Sequence, residues 1–289
     1  MKLTNSVTLL AFASLLALPG YAQQDFSAVE IETQRVADGL YMLIGSGGNI
    51  GLSVGDDGAL IIDTQYAPLS YKIQAAVSAV DGGPVEMVIN THYHGDHAGG
   101  NPSFGNSGAI IVAHENVYTR LASGENADAA GFPDLTYPDR VRLDWNGTSV
   151  EVIHVPPAHT DGDTIVHFPD LNAIHMGDTF FNGGYPFVDV NSGGAFNGVI
   201  TAGETALALA NNRTRIIPGH GPLSSRADLA EWIDMLKTVR GRIQSLIDDG
   251  MNVDQILAAG TTAEWDAELG QGFINTEAFT RMVVQSLSD

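Results

Sequence analysis

The 289-residue sequence contains no cysteine. Disulfides, thiolate metal ligands and cysteine nucleophiles are excluded together, so any metal here must be held by nitrogen and oxygen. Positive charge is scarce as well: 13 Lys and Arg stand against 34 Asp and Glu, a formal net charge of −21. No basic stripe is available to follow a phosphate backbone, so nucleic acid is not an expected partner. The acidity reads as a solvated surface. The apolar stretch at the N-terminus, about Val7 to Leu18, is interrupted by serine and threonine and falls short of the roughly 20 residues that span a bilayer. With Lys2 before it and the small residues Gly20 and Ala22 after it, it has the pattern of a secretory signal peptide cut after Ala22. Residues 1–22 are therefore expected to be removed, leaving a periplasmic or secreted protein without a stable membrane anchor.

With 44% hydrophobic residues the chain is long enough to bury a full core. It shows no repeat array, linker or low-complexity tract, and residues 23–289 read as one domain. From Val36, short apolar runs alternate with glycine turns (GLYMLIG, NIGLSVG, GALIIDT), as hairpin-linked strands do. SYKIQAAVSAV, residues 70–80, has helical spacing, and PVEMVINTH, residues 84–92, reads as a buried strand. AIIVAH is a further strand, followed by a helix from Glu115 and a glycine- and proline-rich loop from Ala122 to Asp139. The second half repeats the rhythm with VRLDW, SVEVIHV, TIVHF, AIHMG, a helix near Ala202 to Ala210, and TRIIPG. Two β-rich halves, each bringing helices, point to two sheets packed face to face with helices outside and with both sets of loops on one edge. From about residue 225 a helical C-terminal extension follows, opened by a capping-box-like Ser225 and Asp228, carried by Leu229, Ile233, Leu236, Val239, Ile243 and Leu246, and stopped at Gly250. A last helix runs from Thr276 to about Leu287.

THYHGDHAGG, residues 91–100, places His92, His94, Asp96 and His97 within six positions between an apolar run and a glycine pair. A polar surface loop is the plain alternative, but four ligand-type residues packed around glycines favour a metal site. On an extended backbone His92 and His94 would face the same way and share one cation. Asp96 and His97 would point to a neighbouring position about 3.5–4 Å away, the spacing of two-metal hydrolytic sites. Later loops expected at the same edge each end in another ligand-type residue: His159 in VPPAHTDGD, Asp178 in IHMGDTF and His220 in RIIPGHGPL. Neutral imidazoles and carboxylates suit Zn²⁺, and iron or manganese would accept the same donors. Two divalent ions, two carboxylates and one hydroxide sum to a formal charge of about +1, a locally cationic pocket in an acidic protein.

Asp63 ends ALIIDT where a strand should emerge below these residues, and is read as an acceptor for a ligand histidine N–H. His114, His154, His167 and His175 lie in or beside strand runs and read as packed or solvent-facing side chains. The stretch 181–198, with Tyr185, Phe187 and Phe196, is the expected pocket wall.

These motifs, in this order from about Val36 to Gly221, resemble the metallo-β-lactamase superfamily, an α/β fold built as an αββα sandwich with its metal site at the sheet edge. The resemblance implies that His92, His94 and His159 bind a first metal, that Asp96, His97 and His220 bind a second, and that Asp178 bridges them as in glyoxalase II-like members. It further implies a dinuclear zinc hydrolase, with a metal-bridging hydroxide as nucleophile, Asp96 as the group that orients it and handles its proton, and the ions stabilising the oxyanion. The bond cleaved would be an amide, lactam or ester of a small molecule, with β-lactam hydrolysis the first activity to test. The departures matter. Asp178 stands where one lactamase subclass has serine, and the thiolate of another subclass is missing, which favours thioesterase, lactonase or phosphodiesterase chemistry as alternatives. The glutathione motif of glyoxalase II is not matched by Arg226, Lys237, Arg240, Arg242 or Arg281. A non-haem iron oxygenase acting on persulfides is another alternative of the same fold. An inert metal-binding protein is the non-enzyme alternative, against which the complete ligand set argues. The sequence does not specify an oligomeric state.

Overall fold

A computed structural model describes residues 25–125 and 127–288. The expected signal peptide lies outside the described residues. The first sheet contains β1 (Glu32–Ala37), β2 (Leu40–Ile44), β3 (Ile50–Ser53), β4 (Ala59–Ile62), β5 (Val85–Ile89), β6 (Ile110–His114) and β7 (Leu135–Tyr137), in that spatial order. β1 to β4 pair antiparallel through tight turns, whereas β4 to β7 are parallel. Parallel neighbours require a crossover. α1 (Ser70–Ala79) supplies the first, the short helices α2 (Gly95–Ala98) and α3 (Asn101–Asn106) the second, and α4 (Glu115–Ser123) the third.

The second sheet contains β8 (Arg140–Trp145), β9 (Thr148–His154), β10 (Thr164–Phe168), β11 (Ala173–His175), β12 (Arg215–Ile217) and β13 (Ser224–Ser225), running from β13 through β12, β11, β10 and β9 to β8. Its single parallel pair, β11 with β12, is bridged by α5 (Phe196–Leu209). The chain ends in α6 (Arg226–Asp248), α7 (Val253–Ala258), α8 (Asp266–Leu269) and α9 (Thr276–Ser288).

The period of two along each strand assigns its side chains to two cores. In β4, Leu60 and Ile62 enter the core between the sheets beside Val150, Val152, Val166 and Phe168. Ile61 between them points the other way, into a cluster with Leu69, Ile73, Val77 and Phe104 of the first helical layer. On the far side, Ile165, Ile174 and Ile216 of the second sheet pack against α5, α6 and α9 through Val199, Leu229, Ile233, Leu236 and Phe279. The layers are therefore helix, sheet, sheet, helix, the expected αββα sandwich, and the C-terminal region is helical.

α6 opens on a reciprocal capping box: the Ser225 hydroxyl accepts from the Asp228 amide while the Asp228 carboxylate accepts from the Ser225 amide. Three stretches differ from the sequence expectation. α5 begins at Phe196, not near Ala202, because Gly193 in a left-handed conformation (φ 74°) turns the chain into it early. The last residues of the expected pocket wall are thus helical, and Phe196 is fully buried in the core. The loop expected over 122–139 contains β7, three residues that add to the edge of β6. α3, α7 and α8 span four to six residues each, too short to show a helical period.

Candidate metal centre

β5 ends at Ile89, so His92 and His94 lie in the loop beyond the strand, with His94 still in extended backbone (φ −60°, ψ 150°). The two side chains come together, His92 Nε2 lying 3.1 Å from His94 Nδ1. Asp96 and His97 sit in α2, four residues long. His159 follows β9, Asp178 occupies a single 3₁₀ turn after β11, and His220 follows β12. All seven side chains predicted from the sequence meet at the shared loop edge. Three triads have donor atoms within 4.8 Å of one another: His92, His94 and His159; His92, His97 and Asp178; and Asp96, His97 and His220. Asp178 stands between the groups, with Oδ2 3.5 Å from His159 Nε2 and 3.3 Å from His220 Nε2, and Oδ1 3.0 Å from His97 Nε2.

Whether these residues fit a cation can be decided from where each ring proton must go. The Asp63 carboxylate accepts from the Thr91 amide and hydroxyl at 2.7 Å each. With its hydrogen so committed, the Thr91 hydroxyl can only accept from His92 Nδ1, at 3.1 Å. His159 Nδ1 donates to the Phe187 carbonyl at 2.7 Å, and His94 Nε2 donates to the Asp189 carboxylate at 3.1 Å. His97 Nδ1 donates to Asp63 Oδ2 at 2.7 Å. Each neutral ring is thereby left with its lone pair on the inner nitrogen. His159 Nε2 and His94 Nδ1 then face each other at 2.8 Å with no hydrogen between them. Asp178 Oδ1 is buried without a hydrogen-bond partner, its contact to His97 being misaligned for one. Lone pairs converging at these distances fit a divalent cation, and the outer acceptors are of the kind that orient metal-bound imidazoles.

The cluster's charges are strongly coupled. Burial, with His97 and His159 adding to it, holds His92 well below the usual histidine range, and burial pushes His159 down to about 4. For His97 and His220 burial is outweighed by Asp178, which raises His97 well above its ordinary value and His220 to about 9. Asp178 is held far below the usual carboxylate range by His97 and His220 despite its burial. Protons held by His97 and His220 therefore occupy places that a cation would take.

Glycines allow the close approach around this floor. A Cβ at Gly48 would land on the His97 ring and one at Gly219 on the Asp178 carboxylate. Several supporting groups carried no signal in the sequence. Asn49 donates to the Pro218 and Gly221 carbonyls at 2.9 Å each, gripping the His220 turn from the other half of the chain. Asp189, a position inside the expected pocket wall but not singled out, holds His94 and is itself fixed by the Ser192 hydroxyl at 2.6 Å. Of the other histidines, His175 is fully buried and donates to the Asn49 carbonyl, and His114 and His154 stack at 3.7 Å away from the cluster.

Above the floor opens a cavity of about 690 Å³. His94, Asp96, His159, Asp178 and His220 reach into it, and Phe181, Tyr185 and Phe187 from the predicted wall line it. Its far side is formed by residues 272–274 of the C-terminal extension.

Residues 43–221 match the family model of the metallo-beta-lactamase superfamily. The chain is 28% identical over 171 residues, 57% of its length and 50% of the relative's, to the 2,4-dinitroanisole O-demethylase subunit alpha of a Nocardioides species. It is 31% identical over 164 residues, 56% of its length and 57% of the relative's, to the hydroxyacylglutathione hydrolase of Nitrosococcus oceani. The matched region thus spans only about half the length of these curated relatives. In fold it is similar to the metallo-beta-lactamase from Pontibacter korlensis, with a TM-score of 0.62 at 18% identity, covering 72% of this chain and 99% of that one.

Proposed function

The chain belongs to the metallo-β-lactamase superfamily, and from that premise we propose that it is a metal-dependent hydrolase acting on a small molecule. The observation that carries this reading is the set of inner donor atoms facing one another at 2.8 to 3.5 Å beneath an open cavity, the outer nitrogens of His92, His94, His97 and His159 already committed. His92, His94 and His159 would hold one ion, Asp96, His97 and His220 a second, and Asp178 would touch both. Zn²⁺ suits the nitrogen and oxygen donors best, with iron or manganese as outcomes of metal analysis.

Bound divalent ions would supply Lewis acidity and bring the pKa of a bound water down to about 7. The chain's own residues do the rest. Asp63 and Asp189 fix the imidazoles of His97 and His94 in the tautomers that leave their inner nitrogens free. Asp96 has a carboxylate that is 24% exposed, lines the cavity and lies 3.4 Å from His220 Nε2, so it is placed to receive a proton at Oδ2. Phe181, stacked on His220 at 5.1 Å, and Phe187, edge-on to His159 at 5.6 Å, exclude water from the cluster's flank.

The bond cleaved is an amide, lactam or ester. β-Lactam hydrolysis is the named activity to measure first, and thioester hydrolysis, supported by the hydroxyacylglutathione hydrolase relative, is measured beside it. The N-terminal pattern of residues 1–22 supports export to the periplasm or beyond. The test is turnover of a panel containing nitrocefin, aryl esters, thioesters and phosphodiesters by protein stripped of metal and then reloaded. Activity that is lost and regained supports the reading; fully loaded protein that turns over nothing in the panel overturns it.

A further inference from the structure

The turn between α8 and α9, residues 270–275, is short and tied at both ends. Gln271 and Asn275 pair as an antiparallel bridge, the Gln271 amide donates to the Asp266 carbonyl at 3.2 Å, and the Asn275 side chain accepts from the Ala278 amide at 2.9 Å. Phe273 at its apex is 89% exposed, the most exposed large hydrophobic residue among those described. Its ring meets Phe187 edge-on at 6.4 Å, and Phe187 in turn lies over His94 at 6.4 Å with nearly parallel planes. The turn is fastened to the opposite wall through Tyr185, whose ring stacks on Phe279 of α9 at 4.2 Å and whose hydroxyl donates to Asp266 at 2.8 Å. A phenyl ring is thus held in water at a fixed place beside a cavity, where an apolar occupant would cover it.

The charges around the cavity point the same way. No Lys or Arg is among its described lining residues. Three cations of the extension are engaged elsewhere, Arg242 with Glu264 at 2.8 Å, Arg281 with Asp254 and Glu277 at 3.0 and 2.9 Å, and Lys237 with Glu204 at 2.7 Å, while Arg226 and Arg240 stand outside the cavity's described lining. A carboxylate, sulfonate or phosphate on the part of a substrate remote from the cluster would find no counter-ion, in a protein of net charge −21.

We propose that the site selects an uncharged substrate bearing an aromatic or branched apolar group, with the edge-to-face pair of Phe187 and Phe273 clamping that group from one side and the bond to be cleaved directed toward the histidine and aspartate cluster. The word substrate rests on the hydrolase reading; the clamp does not. Under this proposal a neutral aryl or alkyl ester is turned over in preference to an ester whose remote end carries a carboxylate or sulfonate.

Two fluorescent probes with one aromatic skeleton test the clamp without turnover: neutral N-phenyl-1-naphthylamine and its anionic sulfonate, 8-anilino-1-naphthalenesulfonate, titrated into the metal-loaded full chain. The neutral probe is expected to bind about tenfold or more tighter, the equivalent of about 1.4 kcal/mol. Phe273→Ala weakens its binding by about tenfold, Phe273→Leu by less, and Met251→Ala, exposed but outside the cavity, leaves it unchanged. Equal or tighter binding of the sulfonate, or an unaltered affinity in Phe273→Ala, overturns the proposal. 4-Nitrophenyl hexanoate and an equally long ester ending in a carboxylate provide the catalytic arm, where the proposal expects a higher kcat/KM for the neutral ester and a raised KM for it in Phe273→Ala. Probe selectivity without turnover of any member of the panel leaves the clamp standing and removes the hydrolase; turnover without selectivity does the reverse.

Discussion

The floor and the rim of the cavity are built on opposite principles. On the floor, His92, His97 and His159 are buried to within 1% and each outer ring nitrogen has a partner fixed by contacts that reach across the chain. At the rim, Phe273 is almost wholly in water and its placement depends on one short turn. Rigid polar preorganisation is what charge stabilisation needs, whereas an apolar rim assigns shape and polarity preference with little demand on folding. Chemistry and selectivity are therefore separable in this molecule, and each can be perturbed without the other.

The largest difference should follow metal removal. Chelation is expected to abolish hydrolysis and to lower unfolding free energy by about 3–4 kcal/mol for each ion removed, relative to protein kept at 100 to 1,000 times the ion's Kd, read by denaturant titration of stripped and reloaded samples; equal stability of the two would break the link between floor and fold. Next in size are the groups behind the floor. Asp63→Ala removes the partner of both His97 and Thr91 at a site with no solvent access, and should weaken metal binding by about 10–100-fold. Asp189→Ala acts on His94 at a carboxylate that is 15% exposed, where water can replace it in part, and should fall at the low end of that range. Competition with a chromophoric chelator ranks the two, and an inverted order would refute the assignment of Asp63 as the principal support.

A smaller effect separates the two states of the floor by pH. His220 rises to about 9 in the side-chain cluster itself, chiefly because Asp178 outweighs burial. A raised histidine contributes stability that is full below its unfolded value of about 6.5 and is lost as pH climbs through 9. Metal-stripped protein should therefore lose stability across that window, while metal affinity should rise across it as the competing proton leaves. Thermal melts of both forms between pH 6 and 9.5 are expected to diverge, and parallel curves would contradict the competition. The smallest effect belongs to the rim: Phe273→Ala should change stability by no more than about 0.5 kcal/mol, since its ring is solvated already. A larger loss would make Phe273 a structural residue.

The same division explains what could be read from the sequence. The seven floor residues were legible because their types are dictated by donor chemistry and each follows an apolar run among glycines or prolines, as in GDHAGG and PGHGP. The layer order was legible from alternating runs such as ALII, although in that run all four residues are buried and only the structure separates Ile61 from Leu60 and Ile62. His92 and His94 meet as their spacing of two implied, with His94 in extended backbone, although β5 itself has ended at Ile89. Asn49 and Asp189 were illegible because their partners lie 169 and 95 residues away, and nothing local marks one asparagine or aspartate in a loop above another. Phe273 carried no signal for a related reason: an exposed phenylalanine becomes meaningful only when the turn bearing it is seen beside the cavity.

Converging lone pairs on one floor are proposed to hold two cations. The most direct measurement is the metal content per chain, by elemental analysis after reconstitution and gel filtration, of the protein and of His220→Ala. Two ions in the protein and one in the variant, retained by His92, His94 and His159, is the predicted result. One ion or none in the reconstituted protein would contradict it.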